Sequence, residues 1–154
     1  ADVIVLAGWC VGADPQLPEL LMEPINELER DKDPSGLWRE YVNAQLSGAY
    51  QELFSMIEVL IMLKVPSMDA VFEWRSLQEK KLAERVKYIY DTQPPTEHLR
   101  IMNEEQIQRF IQHYERLTRH MLDEMPDRAD VTLHLNQNHK IADIQINQPL
   151  NSCG

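Results

Sequence analysis

The chain has few thiols, no surplus of positive charge and no long apolar run. Its 154 residues contain two cysteines, Cys10 and Cys153, near opposite ends. Two thiols make neither a zinc set nor a disulfide framework, so a reduced, cytoplasmic setting is expected. The formal net charge is −10. General nucleic-acid binding is thereby disfavoured, because no basic excess exists to neutralise phosphates, although a local basic pocket for a small anion remains open. No stretch approaches the roughly 20 apolar residues that span a bilayer, so no membrane association is expected. Residues 3–10 are apolar but lack a basic lead, so no secretory signal is expected there. There is no internal repeat and no low-complexity stretch.

What is present suits one globular domain of ordinary size. Apolar residues make up 44% and charged residues 26%. The β-branched run at the start ends abruptly at Gly8-Trp9, with Gly12 three residues after the tryptophan. Residues 2–7 therefore read as a buried parallel strand that delivers a loop to the end of a sheet, where α/β proteins bind ligands.

Further along, residues 24–30 can form a short helix, with Pro24 near its first turn. Residues 31–36 carry turn chemistry. A long helix is expected from about 37 to 55, with Leu37, Trp38, Tyr41, Val42, Ala49, Tyr50, Leu53 and Phe54 forming one apolar stripe. Residues 57–65 are nearly continuously apolar and end at Pro66, which reads as a second buried strand. Ser67 can cap a helix from Met68 toward Tyr90. Residues 91–101 read as a break. Asn103 with Gln106 forms a capping pair, and the next helix sets Ile107, Phe110, Ile111, Tyr114, Leu117, Met121 and Met125 on one face before stopping at Pro126. A hairpin follows, with strands at 130–135 and 140–146 and a turn at 136–139, and then a polar tail at 148–154.

Strands alternating with helices argue an α/β fold with parallel strands. Only the two strands at 2–7 and 57–65 are fully apolar, and two such strands make a poor independent sheet. The chain is therefore expected to lack sheet partners. Either it is part of a larger domain or a second chain completes its sheet.

Two segments carry a family resemblance. Val5-Leu6-Ala7-Gly8-Trp9-Cys10-Val11-Gly12 resembles the Gly-Trp stretch of P-loop kinases related to D-glycerate 3-kinase. Val71-Phe72-Glu73-Trp74-Arg75-Ser76-Leu77-Gln78-Glu79-Lys80-Lys81-Leu82 resembles that family's Trp-Arg-x-x-Gln-Glu helix. The helix 102–125, Arg128-Ala129-Asp130-Val131 and Asn138-His139-Lys140-Ile141 are similar to the end of the related pantothenate kinases. In that family a Gly-rich phosphate loop and the catalytic Asp precede the Gly-Trp strand, and no G-x-x-x-x-G-K-[ST] occurs in these residues. The resemblance thus implies the C-terminal part of a P-loop kinase domain over 1–147, a partial three-layer α/β/α fold with parallel strands, long helices and a C-terminal β-hairpin. Its lid region would fall at about 75–102. The full enzyme would move the γ-phosphoryl of ATP onto a hydroxyl of a small acidic metabolite such as D-glycerate. ATP and Mg²⁺ would be held mainly by the half not included.

The resemblance assigns roles that must be weighed against plainer ones. Gly8 and Trp9 are either a tight turn with a core anchor or, with Gly12, a substrate loop whose glycines admit a small anion to the backbone. Arg75, Gln78 and Glu79 share a helix face. They are either a solvated ion pair with a neighbour, or a lid arginine that clamps phosphate through two hydrogen bonds while Gln78 and Glu79 orient it. Asn138 and His139 are either ordinary turn residues or a wall beside the adenine ring. Asn43 and Gln45 are expected to be solvated, and Asp31 and Asp33 to be turn formers. His113 and His120 lie seven apart, which is no metal spacing, and no metal ligands are assigned. One departure stands out: Ala7 occupies the place where relatives carry an acid, and an alanine cannot hold Mg²⁺ or its waters. The isolated chain is expected to be inactive. The alternative is a non-catalytic, truncated kinase-like module that binds a partner or itself through an unpaired sheet edge.

Overall fold

The structure, a computed structural model, describes residues 2–92 and 101–147. The expected polar tail, and residues 93–100 of the expected break and lid region, lie outside the described residues. A 3₁₀ turn at Pro18–Leu21 leads to the first α-helix, α1 (Glu27–Lys32). This short helix starts later than Pro24 because Asn26 caps it, its side chain accepting the Glu29 amide at 3.0 Å. The expected long helix is interrupted. It runs as α2 (Leu37–Gln45), a wide π turn at Leu46–Tyr50, and α3 (Gln51–Phe54). The break falls at Gly48, whose φ of −111° and ψ of −110° are not helical.

The inward face of that helical run is not the expected one. Arg39 and Leu46 are buried, whereas Leu37, Trp38, Tyr41, Val42, Tyr50 and Leu53 are exposed. Arg39 is held inside by Glu29 and Asp33, at 3.5 and 3.6 Å. Asp33 also accepts the amides of Trp38 and Arg39 at the start of α2. The apolar stripe is left facing outward, with only Phe54 packed against the core.

The second expected strand is shorter than its apolar run, β1 (Ile61–Lys64), and is covered on one face only. Helices α4 (Met68–Thr92) and α5 (Glu104–Arg128) follow. The α5 start is a reciprocal capping box, with Asn103 accepting from the Gln106 amide at 2.9 Å and Gln106 accepting from the Asn103 amide at 3.0 Å. Helix α5 does not stop at Pro126 but runs one turn's remnant further. Side-chain amides of Asn147 and Gln145 bond the Pro126 carbonyl at 2.5 and 3.3 Å, which stabilises that end. The hairpin is β2 (Val131–Leu135) and β3 (Ile141–Ile146).

The sheet has three strands in the order β1-β2-β3, β1 parallel to β2 and β2 antiparallel to β3. Residues 2–7 are not a strand: they pair with nothing in the sheet, and Val3, Ile4, Val5 and Leu6 are 51–87% exposed. A strand needs a hydrogen-bonded neighbour, and none of the described strands lies beside them. The core forms where Met62 of β1 meets Met121 and Met125 of α5, together with Ala13, Leu46 and Ala129. The arrangement is mixed α/β, with a parallel pair, a hairpin and helices over one face.

Candidate functional site

The loop after residue 7 is anchored to α5. The Trp9 indole Nε1 donates to Thr118 Oγ1 at 2.9 Å. Its ring meets Tyr114 edge-on, with centroids 4.9 Å apart. Tyr114 in turn packs on Phe110 at 5.0 Å. Phe110 carries the Arg75 guanidinium over its face at 5.1 Å. A continuous line of contacts, Trp9 to Tyr114 to Phe110 to Arg75, thus joins residues 66 positions apart in the sequence. Phe110 and Tyr114 were expected only as part of the core face of α5. They remain 37% and 39% exposed, one turn apart on the same helix face as the buried Ile107, Met121 and Met125. The sequence signal was that spacing, two rings on one helix, one of them with a polar tip.

Arg75, Gln78 and Glu79 come together as their spacing requires. Arg75 donates through Nη1 to Gln78 Oε1 and through Nη2 to Glu79 Oε1. Arg75 Nε is shielded from solvent and has no hydrogen-bond partner among the described residues. The Arg75–Glu79 ion pair forms, but it is not fully solvated, since Glu79 is 4% exposed. Its other oxygen accepts the Met102 amide at 3.1 Å. Glu79 therefore ties Arg75 to the point where the chain enters α5.

The hairpin tip leans on the same helix. The His139 ring packs at a tilt of 56° against Trp74 with centroids 4.2 Å apart, and Trp74 Nε1 donates to the Gln137 carbonyl at 3.1 Å. His139 has φ 61°, in the left-handed region. The Asn136 side chain supports the turn by accepting the amides of Asn138 and Lys140 at 2.9 and 3.1 Å. Asn138 and His139 are exposed and sit beside the residue that precedes Arg75.

Gly8 and Gly12 differ. Gly12 is buried with φ 77°, and a Cβ there would stand 2.7 Å from Leu60 Cδ1. Its carbonyl accepts from Arg128 Nη2. Arg128 also pairs with Asp14 at 3.1 Å and Glu124 at 2.5 Å, and the hydrogen bonds it donates to Glu124 raise its pKa above the ordinary arginine value. Packing and turn geometry thus require Gly12. Gly8 is exposed, beside Val11.

Other sequence candidates fall elsewhere. Asn43 is not merely solvated: it exchanges two hydrogen bonds with the Gln16 backbone, at 2.7 and 2.9 Å. Asp33 is a buried cap rather than a simple turn former. Cys10 is a free, half-buried thiol against the core, and Cys153 lies outside the described residues. A shallow cavity of about 340 Å³ opens between Pro18, Leu21, Gly36, Arg39 and Ser47. It touches none of the site residues, and its Arg39 is already paired. Among the described residues no three His, Cys, Asp or Glu side chains gather as a metal cluster, and no helix is long and apolar enough to cross a membrane.

No protein-family model matches the chain, and no curated protein matches it. The chain is similar to solved structures, two of which are described. The first is D-glycerate 3-kinase from Cryptococcus neoformans var. grubii, at 20% identity and a TM-score of 0.62, over 90% of this chain and 47% of that one. The second is the YGR205w protein, at 18% identity and a TM-score of 0.53, over 90% of this chain and 45% of that one. The chain spans about half the length of these structures. At such identity the likeness is one of fold, and it matches the one implied by the Gly-Trp and Trp-Arg-x-x-Gln-Glu segments.

Proposed function

We propose that these residues are the C-terminal part of an ATP-dependent kinase that phosphorylates a hydroxyl of a small acidic metabolite, with D-glycerate as the leading substrate. Arg75 is the phosphate clamp, and Gln78 and Glu79 orient it. Gly8, Trp9 and Gly12 belong to the substrate loop, and Asn138 with His139 walls the adenine. The observation that carries this reading is the unbroken contact line from Trp9 to Arg75. It supports one working cleft rather than two unrelated surface features.

Arg75 suits a phosphate, because a guanidinium forms paired hydrogen bonds to its oxygens and its side chain remains 23% exposed. The residues do not suit Mg²⁺: Ala7 stands at the loop, and among the described residues no carboxylate set converges. Metal binding, the ATP phosphates and the catalytic base therefore belong to chain outside these residues. Catalysis of phosphoryl transfer is mostly positioning and charge stabilisation, so half a site does almost none of it.

A coupled ATPase assay with D-glycerate tests the proposal. The 154-residue chain alone will give no turnover, and the intact natural gene product will. In that product Arg75→Ala will lower kcat by roughly 100-fold or more, and Arg75→Lys will not restore it, because an ammonium lacks the planar fork. Turnover by the isolated chain, or an unchanged kcat in Arg75→Ala, would overturn the assignment.

A second reading is a non-catalytic kinase-like module that binds a partner or itself. Ala7 and the bare sheet face favour it. An intact gene product that self-associates and transfers no phosphate would decide for it.

A further inference from the structure

Arg75 is held at three points, and only two of them belong to its own helix. Gln78 and Glu79 accept from Nη1 and Nη2, one partner on each terminal nitrogen. A guanidinium has five N–H groups. The one on Nε is shielded from solvent, so one N–H on each terminal nitrogen is left over. Together they make a two-pronged donor on a partly exposed side chain. The third point is the face of Phe110, whose centre lies 5.1 Å from the guanidinium carbon. Phe110 comes from the other long helix, α5.

The contacts within α4 do not aim that donor by themselves. Arginine is rich in rotamers, and two flexible partners on the same helix can swing with it. A ring face removes that freedom, because the cation is drawn to the electron-rich centre of the face. The ring is itself braced. Tyr114 lies against it at 5.0 Å, Trp9 meets Tyr114 edge-on, and the Trp9 indole is bonded to Thr118. A ring that served only to fill the core would be buried as Ile107, Met121 and Met125 are, yet Phe110 is 37% exposed.

We propose that Phe110 is a positioning residue for phosphoryl transfer: its ring face holds the Arg75 guanidinium so that the two remaining N–H groups meet oxygens of the transferred phosphoryl group. Phe110 acts through Arg75 and touches neither substrate nor nucleotide. The inference rests on reading Arg75 as the phosphate clamp, and it adds what aims the clamp.

Two measurements test it. In the 154-residue chain the Arg75 Hδ resonances will lie upfield, in the shielding zone above the ring. Phe110→Leu will return them to open-chain positions while helical circular dichroism is kept. In the intact natural gene product, kcat with ATP and D-glycerate is then measured through a double-mutant cycle. Phe110→Leu will lower kcat about tenfold, with little change in KM for either substrate. Phe110→Tyr keeps the face and will stay near the parent. In an Arg75→Ala background Phe110→Leu will cost nothing further, because the ring then has no cation to hold. Phenylalanines with one, two and three ring fluorines at position 110 keep the shape while draining the face, and kcat will fall stepwise along that series. Equal losses in both Arg75 backgrounds, or no stepwise fall, give the ring a packing role only and overturn the inference while the kinase reading stands. Arg75 resonances indifferent to Phe110→Leu overturn it as well. A product that transfers no phosphate, with the resonances moving as stated, sinks the kinase reading and the catalytic half of this inference with it, and leaves Phe110 as the support of Arg75 alone.

Discussion

Gly12 and Gly8 flank the same tryptophan yet answer to different physics. At Gly12 the backbone is left-handed at φ 77°, and an added methyl would press on Leu60, which packs on the core. Gly12→Ala will cost about 1–2 kcal/mol, mostly backbone strain. Gly8 is not left-handed, and its added methyl would meet only the end of the Val11 side chain at 3.0 Å. Gly8→Ala will cost less than half as much. Urea denaturation of the two variants checks the contrast, and equal losses would refute it. Arg75 shows the same dependence on surroundings. Spacing alone places Glu79 beside it, but the burial of Glu79 and its bond to the Met102 amide tie the pair to the start of α5.

The helices are joined by one carboxylate. Glu29 of α1 accepts Arg116 of α5 twice at 2.7 Å and pairs with Arg39 of α2 at 3.5 Å. Burial pushes its pKa up, but the Arg116 hydrogen bonds, the Ile25 amide and the charges of Arg116 and Arg39 outweigh it, leaving the pKa below 4.5. Stability from this group is therefore complete above pH 4.5. It is lost as pH falls through the folded-state value, because the unfolded chain then takes up the proton more readily. Thermal denaturation between pH 7 and pH 3 will show that loss, and Glu29→Gln will flatten it. At pH 7 the same substitution will cost on the order of 3 kcal/mol by leaving buried arginines short of a partner. An unaltered pH slope in Glu29→Gln would remove Glu29 from the account. This junction explains why the α2 stripe faces outward: the charged network, not the apolar residues, holds that helix in place.

Across the whole molecule, apolar surface is distributed unevenly. One sheet face is packed and the other open, while residues 3–6 and the outer stripe of α2 are bare as well. The native 154-residue chain will therefore enhance the fluorescence of the dye ANS before any unfolding. Leu63→Glu with Ile144→Glu will cut that enhancement without loss of helical circular dichroism. No enhancement by the native chain would mean that the open face is closed in solution.

Local pattern determined much by itself. The Ser67 cap placed the start of α4, the apolar face of 107–125 placed α5, and the Asn103–Gln106 spacing set the start of α5, because each depends on residues a few positions apart. The Arg75, Gln78 and Glu79 grouping was legible for the same reason. Tertiary structure decided the rest. The apolar run at 2–7 has strand chemistry, but strand formation depends on a neighbour that these residues do not provide. Arg39 of α2 is drawn inward by Glu29 and Asp33, and Glu29 is itself fixed by Arg116, 87 positions away. The bond from Trp9 to Thr118 and the rings that link it to Arg75 exist only because α5 crosses between two distant segments, and periodicity along one helix carries no information about what lies on either side of it.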